Sequence, residues 1–115
     1  MDNSKSVFSD FEDDEEIIDT ENIYHSYNDI LLNYDTLKLS NKTSNVLTKF
    51  EKAKILGIRS EQLSKGANPL IEFEGLTSVE DIAKLELQQK KTPFILKRKV
   101  ADKYEYWKIE DLEIN

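Results

Sequence analysis

The run from Thr48 to Leu63, Thr-Lys-Phe-Glu-Lys-Ala-Lys-Ile-Leu-Gly-Ile-Arg-Ser-Glu-Gln-Leu, constrains this chain most, because it reads as one capped helix with contact surface on two sides. Thr48 and Glu51 have the spacing of a capping box, in which the threonine hydroxyl accepts from the glutamate amide and the carboxylate reaches back to the threonine amide. Gly66 suits the left-handed residue that ends such a helix. At about 100° per residue, Ala53, Gly57, Ser60 and Ser64 form a stripe of small groups bordered by Phe50, Leu56 and Leu63. A second stripe carries Glu51, Ile55, Ile58 and Gln62, with Arg59 at its edge. Two stripes predict two packing partners. Either both lie inside one small domain, or one belongs to another molecule.

Charge decides how much of the chain can join that domain. Residues 1–42 hold 11 acidic and 3 basic side chains, a net −8, whereas residues 43–115 hold 12 and 13, a net +1, which together make the −7 of the whole. The block from Ser9 to Glu16 cannot bury enough apolar surface to offset chain ordering, so residues 1–42 are expected to be a largely disordered acidic tail before a domain over 43–115. Within that tail, Ile17, Ile18, Tyr24, Ile30 and Leu31 mark a segment that orders on a partner, with a short helix near Tyr24–Leu32 and His25 at its surface. A body of roughly 73 residues buries only about 60% of its unfolded surface, so docking on a larger protein would add stability.

Downstream, Asn68-Pro69 marks a turn, Leu70–Phe73 alternates like a short strand, and Thr77-Ser78-Val79-Glu80 reads as a second capping box opening a helix to about Lys90. On that helix Glu86 falls within the apolar stripe of Val79, Ile82, Ala83 and Leu87. Burying an unpaired carboxylate costs several kcal/mol, about the whole margin of stability, so Glu86 is expected to pair with Arg59 or Arg98. Phe94–Val100 and Tyr104–Ile109 read as an antiparallel hairpin whose loop lacks glycine, which leaves the turn type open. The expected class is α+β and helix-dominated: two main helices, a short strand and a C-terminal hairpin behind an acidic tail.

The same residues exclude most chemistry. One histidine and no cysteine leave no material for a zinc site, a Cys-His or Ser-His nucleophile, or a disulfide, and suit a reducing intracellular compartment. The three glycines form no phosphate loop, and the acids from Asp10 to Glu16 lack the spacing of a calcium loop. No catalytic residue, metal or cofactor is expected, and neither is a signal peptide or membrane span. Lys90, Lys91, Lys97, Arg98, Lys99, Lys103 and Lys108 beside Tyr104, Tyr106 and Trp107 suggest nucleic-acid contact, but a near-neutral domain with an acidic competitor favours a solvated hairpin over an aromatic core.

The helix resembles the signature of the small ω-like subunits of multisubunit RNA polymerases, the bacterial omega, archaeal K and eukaryotic sixth subunits. Thr48, Phe50, Glu51, Ala53, Gly57, Arg59, Ser60, Gln62 and Leu63 fit that signature, and Lys54 departs from its usual arginine. Ile71-Glu72-Phe73-Glu74-Gly75, Ile82-Ala83, Glu86-Leu87, Lys91-Thr92-Pro93 and Trp107 with Glu110-Asp111-Leu112 extend the likeness over about residues 43–115. The resemblance implies a non-catalytic subunit that clasps the largest polymerase subunit and favours assembly, meeting nucleic acid only through the complex. It implies partner contacts at Thr48, Phe50, Glu51, Ile55, Ile58, Arg59, Gln62 and Leu63. Phe8 and Phe11 resemble the acidic, aromatic tail by which eukaryotic members dock a general transcription factor, with Ser9 as an acidophilic phosphorylation site. A free-standing acidic adaptor working through Phe8 and Phe11 is the alternative. Lysine-heavy usage leans toward a homologue from a large DNA virus, in the virion or infected-cell cytoplasm, rather than a cellular, nuclear one.

Overall fold

The computed structural model describes residues 7–9, 15–21 and 25–115. In chain order the elements are β1 (Val7–Ser9), β2 (Glu15–Asp19), α1 (His25–Leu32), α2 (Tyr34–Leu37), α3 (Lys49–Ser64), α4 (Val79–Gln88), β3 (Phe94–Val100) and β4 (Lys103–Lys108). Short 3-10 turns span Lys38–Ser40 and Ile109–Asp111. The class is α+β, and the chain divides into two compact units, 1–45 with 93–111 and 46–92 with 112–115. Among the described residues, no helix is long and apolar enough to cross a membrane.

The first unit is built on an antiparallel sheet of order β1-β2-β3-β4. The branched and aromatic residues of the two last strands suit a pleated surface, and Leu96 pairs with Trp107, Arg98 with Glu105 and Val100 with Lys103. That register leaves Ala101 and Asp102 as a two-residue turn, with Ala101 at φ 59°, the left-handed region that glycine occupies without strain. Ala101→Gly should therefore raise stability by about 1 kcal/mol, read as a higher urea midpoint at unchanged slope. An unmoved midpoint would contradict the turn geometry.

β2 belongs to the same sheet. Glu15–Asp19 pairs with β3, Ile17 opposite Leu96 and Ile18 opposite Ile95, and both isoleucines are buried. Two adjacent isoleucines point to opposite faces of the sheet, so burying both lets this short acidic segment order despite its charge. Glu16 meets Lys97 at 3.1 Å. The helix expected near Tyr24–Leu32 forms as α1 from His25. Phe8 and Ser9 lie in β1, whereas Phe11 and the acids Asp10 to Asp14 fall outside the described residues.

In the second unit α3 packs against α4. The capping box forms in full: Thr48 Oγ1 accepts from the Glu51 amide at 3.1 Å, and the Thr48 amide donates to Glu51 Oε1 at 2.9 Å. At the other end Gly66, at φ 106°, is the left-handed residue, with the Ala67 amide donating to Gln62 O and the Gly66 amide to Leu63 O. The C-terminus returns to the start of this helix, where the Leu47 amide donates to Glu113 O and buried Leu112 closes the core.

Two local expectations differ from the structure. Leu70–Phe73 forms no strand, because its polar groups go to side chains: the Leu70 amide donates to Glu86 Oε2, and the neighbouring Asn68 carbonyl accepts from Arg59. The cap of α4 is Ser78, one residue beyond Thr77, with its hydroxyl accepting from the Asp81 amide at 3.1 Å. Serine and threonine compete for the same role, and the register of the apolar stripe decides between them.

Candidate partner-binding face

The inward stripe of α3 is apolar with two polar companions. Glu51, Ile55, Arg59 and Leu63 are all buried. Arg59 is 1% exposed and Glu86, from α4, 0%. The guanidinium meets the carboxylate through two parallel bonds, Nε to Oε1 at 2.6 Å and an Nη2 bond to Oε2 at 2.9 Å. Its remaining donors reach Gln62 Oε1 at 3.0 Å and Asn68 O at 3.2 Å, and the Leu70 amide adds a further donor to Glu86 Oε2 at 2.9 Å. A fork-shaped cation matched by a two-oxygen anion satisfies the geometry that makes a buried pair tolerable. The cluster fastens α3 to α4 and holds the chain leaving α3 through Asn68 and Leu70.

Arg98, the other cation considered for Glu86, lies elsewhere. Its Nη1 donates to Thr43 Oγ1 at 2.9 Å and to Ser44 O at 2.6 Å. Opposite it in the hairpin, Glu105 accepts from the Thr43 hydroxyl, the amides of Lys42 and Thr43, and Trp107 Nε1. Burial alone pushes this carboxyl up, but those donors outweigh it and hold its pKa below the ordinary value. Because the folded pKa is depressed, the stability contributed by Glu105 is complete above the unfolded carboxylate pKa of about 4.3 and is lost as pH falls through the folded value. Glu105→Gln should thus lose less stability than the parent chain on going from pH 6 to pH 3, seen by thermal unfolding at both; equal losses would contradict this. Burial foremost, with a bond donated to Asp111, likewise raises the Tyr34 hydroxyl pKa.

Sequence reasoning missed this carboxylate network. The hairpin register, which sets Arg98 opposite Glu105, is the signal in the sequence that points to it.

What α3 leaves outward is the small-residue stripe. Phe50 is 81% exposed, Ala53, Gly57 and Ser64 are exposed, and Leu56 and Ser60 are half-buried. A groove of about 490 Å³ runs beside the stripe, with Leu56, Gly57, Ser60 and Ser64 on one wall and Val79 and Lys84 of α4 on the other. Among the described residues, and apart from its chain neighbours and its own helix backbone, nothing lies within 4 Å of where a Cβ on Gly57 would sit. Of the residues expected at a partner surface, Thr48 and Phe50 are exposed, and Ile58 and Gln62 are half-buried. Glu51, Ile55, Arg59 and Leu63 are buried within this chain.

No protein-family model matches the chain. Individual relatives do. The chain is 44% identical over 72 residues, 62% of its length and 50% of the relative's, to DNA-directed RNA polymerases II and V subunit 6B of Arabidopsis thaliana. Over this span the chain is similar to RNA polymerase sixth subunits. DNA-directed RNA polymerases I, II, and III subunit RPABC2 of Schizosaccharomyces pombe is 42% identical over 71 residues, 61% of this chain and 50% of that one. The rpabc2 subunit of Dictyostelium discoideum is 40% identical over 74 residues, 64% and 56% respectively. The chain thus spans about half the length of the sixth subunits it matches.

Proposed function

We propose that this chain is a non-catalytic subunit of a multisubunit DNA-directed RNA polymerase, and that the outward face of α3 clasps the largest subunit to favour assembly. Phe50, Leu56 and the Gly57–Ser60–Ser64 stripe form the seat for the partner backbone. Glu51, Ile55, Arg59 and Leu63 hold that seat in shape from within.

Gly57 is the observation that supports this most. A glycine inside a helix costs about 1 kcal/mol relative to alanine. Here no neighbour needs the space its missing Cβ leaves. Its φ is not positive either, so the helix backbone makes no demand for it. A close approach from outside the chain accounts for both facts, and the relatives named as polymerase subunits give that outside body a chemical identity.

The test is co-purification of the tagged full chain from its native source in high salt. Stoichiometric recovery of the two large polymerase subunits is expected. Recovery of a transcription factor without them would contradict the proposal and favour an adaptor acting through Phe8 and Phe11.

A further inference from the structure

Between Gly66 and Ala83 the chain carries Glu72, Glu74, Glu80 and Asp81 and no lysine or arginine, an acidic stretch inside a near-neutral domain. Its first half is pinned at both ends. The Arg59–Glu86 pair holds the entry, with Arg59 Nη2 donating to Asn68 O at 3.2 Å and the Leu70 amide donating to Glu86 Oε2 at 2.9 Å. At the exit the Leu76 amide donates to Phe73 O at 3.0 Å, closing a turn whose third residue, Gly75, has φ 89°. Ile71 and Leu76 pack on the core of Leu63, Ile82 and Ala83. Leu70 and Phe73 remain 40% and 45% exposed, and Glu72 and Glu74, on either side of Phe73, are exposed as well. A hollow of about 440 Å³ is lined by Ile71, Glu72, Phe73 and Glu74.

We propose, taking the chain as a polymerase subunit, that Leu70–Glu74 is a second docking surface, fixed in place by the buried Arg59–Glu86 pair, for a polymerase segment with a lysine or arginine next to an apolar side chain. An apolar substitute for a buried ion pair is often as stable as the pair itself, so stability alone does not call for these charges. What an apolar pair could not do is hydrogen-bond the backbone at Asn68 and Leu70. Those two bonds fix a loop whose exposed apolar side chains gain little from the chain's own fold. The Phe73 ring offers apolar area to an incoming side chain. The acids beside it have no cation within their own stretch, so the complementary charge comes from the partner, and an acidic segment or a nucleic acid would be repelled.

The experiment purifies the tagged full chain from its native source at moderate salt and measures the largest polymerase subunit retained, with urea unfolding of each variant alongside. Phe73→Ala should retain about tenfold less than the parent, and Glu72→Lys with Glu74→Lys should lose as much, both at unchanged urea midpoints because these side chains are exposed. Arg59→Met with Glu86→Leu should fold, lose the hydrogen-exchange protection of the Leu70 amide while the α3 amides stay protected, and retain as little polymerase as Phe73→Ala. Parent-level retention by Phe73→Ala would overturn the surface. The same result for the charge reversal would mark an apolar partner and overturn the basic one, and a Leu70 amide still protected in the double variant would overturn the role of the pair. Loss of polymerase from Gly57→Leu with full retention by all three variants would sink this second surface alone, whereas no polymerase on the parent would sink it together with the α3 face.

Discussion

Arg59→Ala should destabilise the chain by about 3–5 kcal/mol, enough to unfold much of a domain whose whole margin is on the order of 5–15 kcal/mol. The loss has little to do with any intrinsic strength of the ion pair. Removing the guanidinium leaves the Glu86 carboxylate fully buried without its cation, keeping the Leu70 amide as a donor. Replacing both charges, Arg59→Met with Glu86→Leu, should recover most of the loss, because apolar residues of similar volume avoid the cost of a lone buried charge. Urea denaturation of the two variants and the parent checks this. A single variant within about 1 kcal/mol of the parent, or a double variant worse than the single, would contradict it.

Ile17→Ala should cost about 2–5 kcal/mol, the range for truncating a fully buried isoleucine. The result separates two views of the N-terminal third. In a solvated acidic tail the same substitution would change nothing measurable. In a strand seated beside β3, with Ile17 opposite Leu96, it opens a cavity in the sheet's core. Hydrogen exchange gives a second reading, with the β2 amides that join the ladder protected in the parent and exchanging freely in the variant.

Some of this was legible in the residues alone. The capping box at Thr48 and Glu51, the glycine end at Gly66, the hairpin and the placement of Glu86 among apolar neighbours all follow from local rules, and the structure shows each of them. The choice of Arg59 over Arg98 as partner of Glu86 was open, because helix and strand periodicity assign side chains to faces but not to distant neighbours. Tertiary context also overrode propensity: alternation argued for a strand at Leu70–Phe73, yet the buried Glu86 took the first amide. The direction of the two α3 stripes was equally beyond the sequence, since a buried arginine and glutamate look like surface residues until their partners are known.

Recovery of the largest polymerase subunit with a tagged Gly57→Leu chain, set against the parent in high salt, is the most direct measurement. Because a Cβ at that position would meet no atom of the described residues beyond its own helix backbone and chain neighbours, the variant should unfold no earlier than the parent, and leucine should raise helix propensity. We expect an equally stable protein that no longer retains the polymerase. Stoichiometric retention by the leucine variant would show that no partner approaches α3 along this stripe.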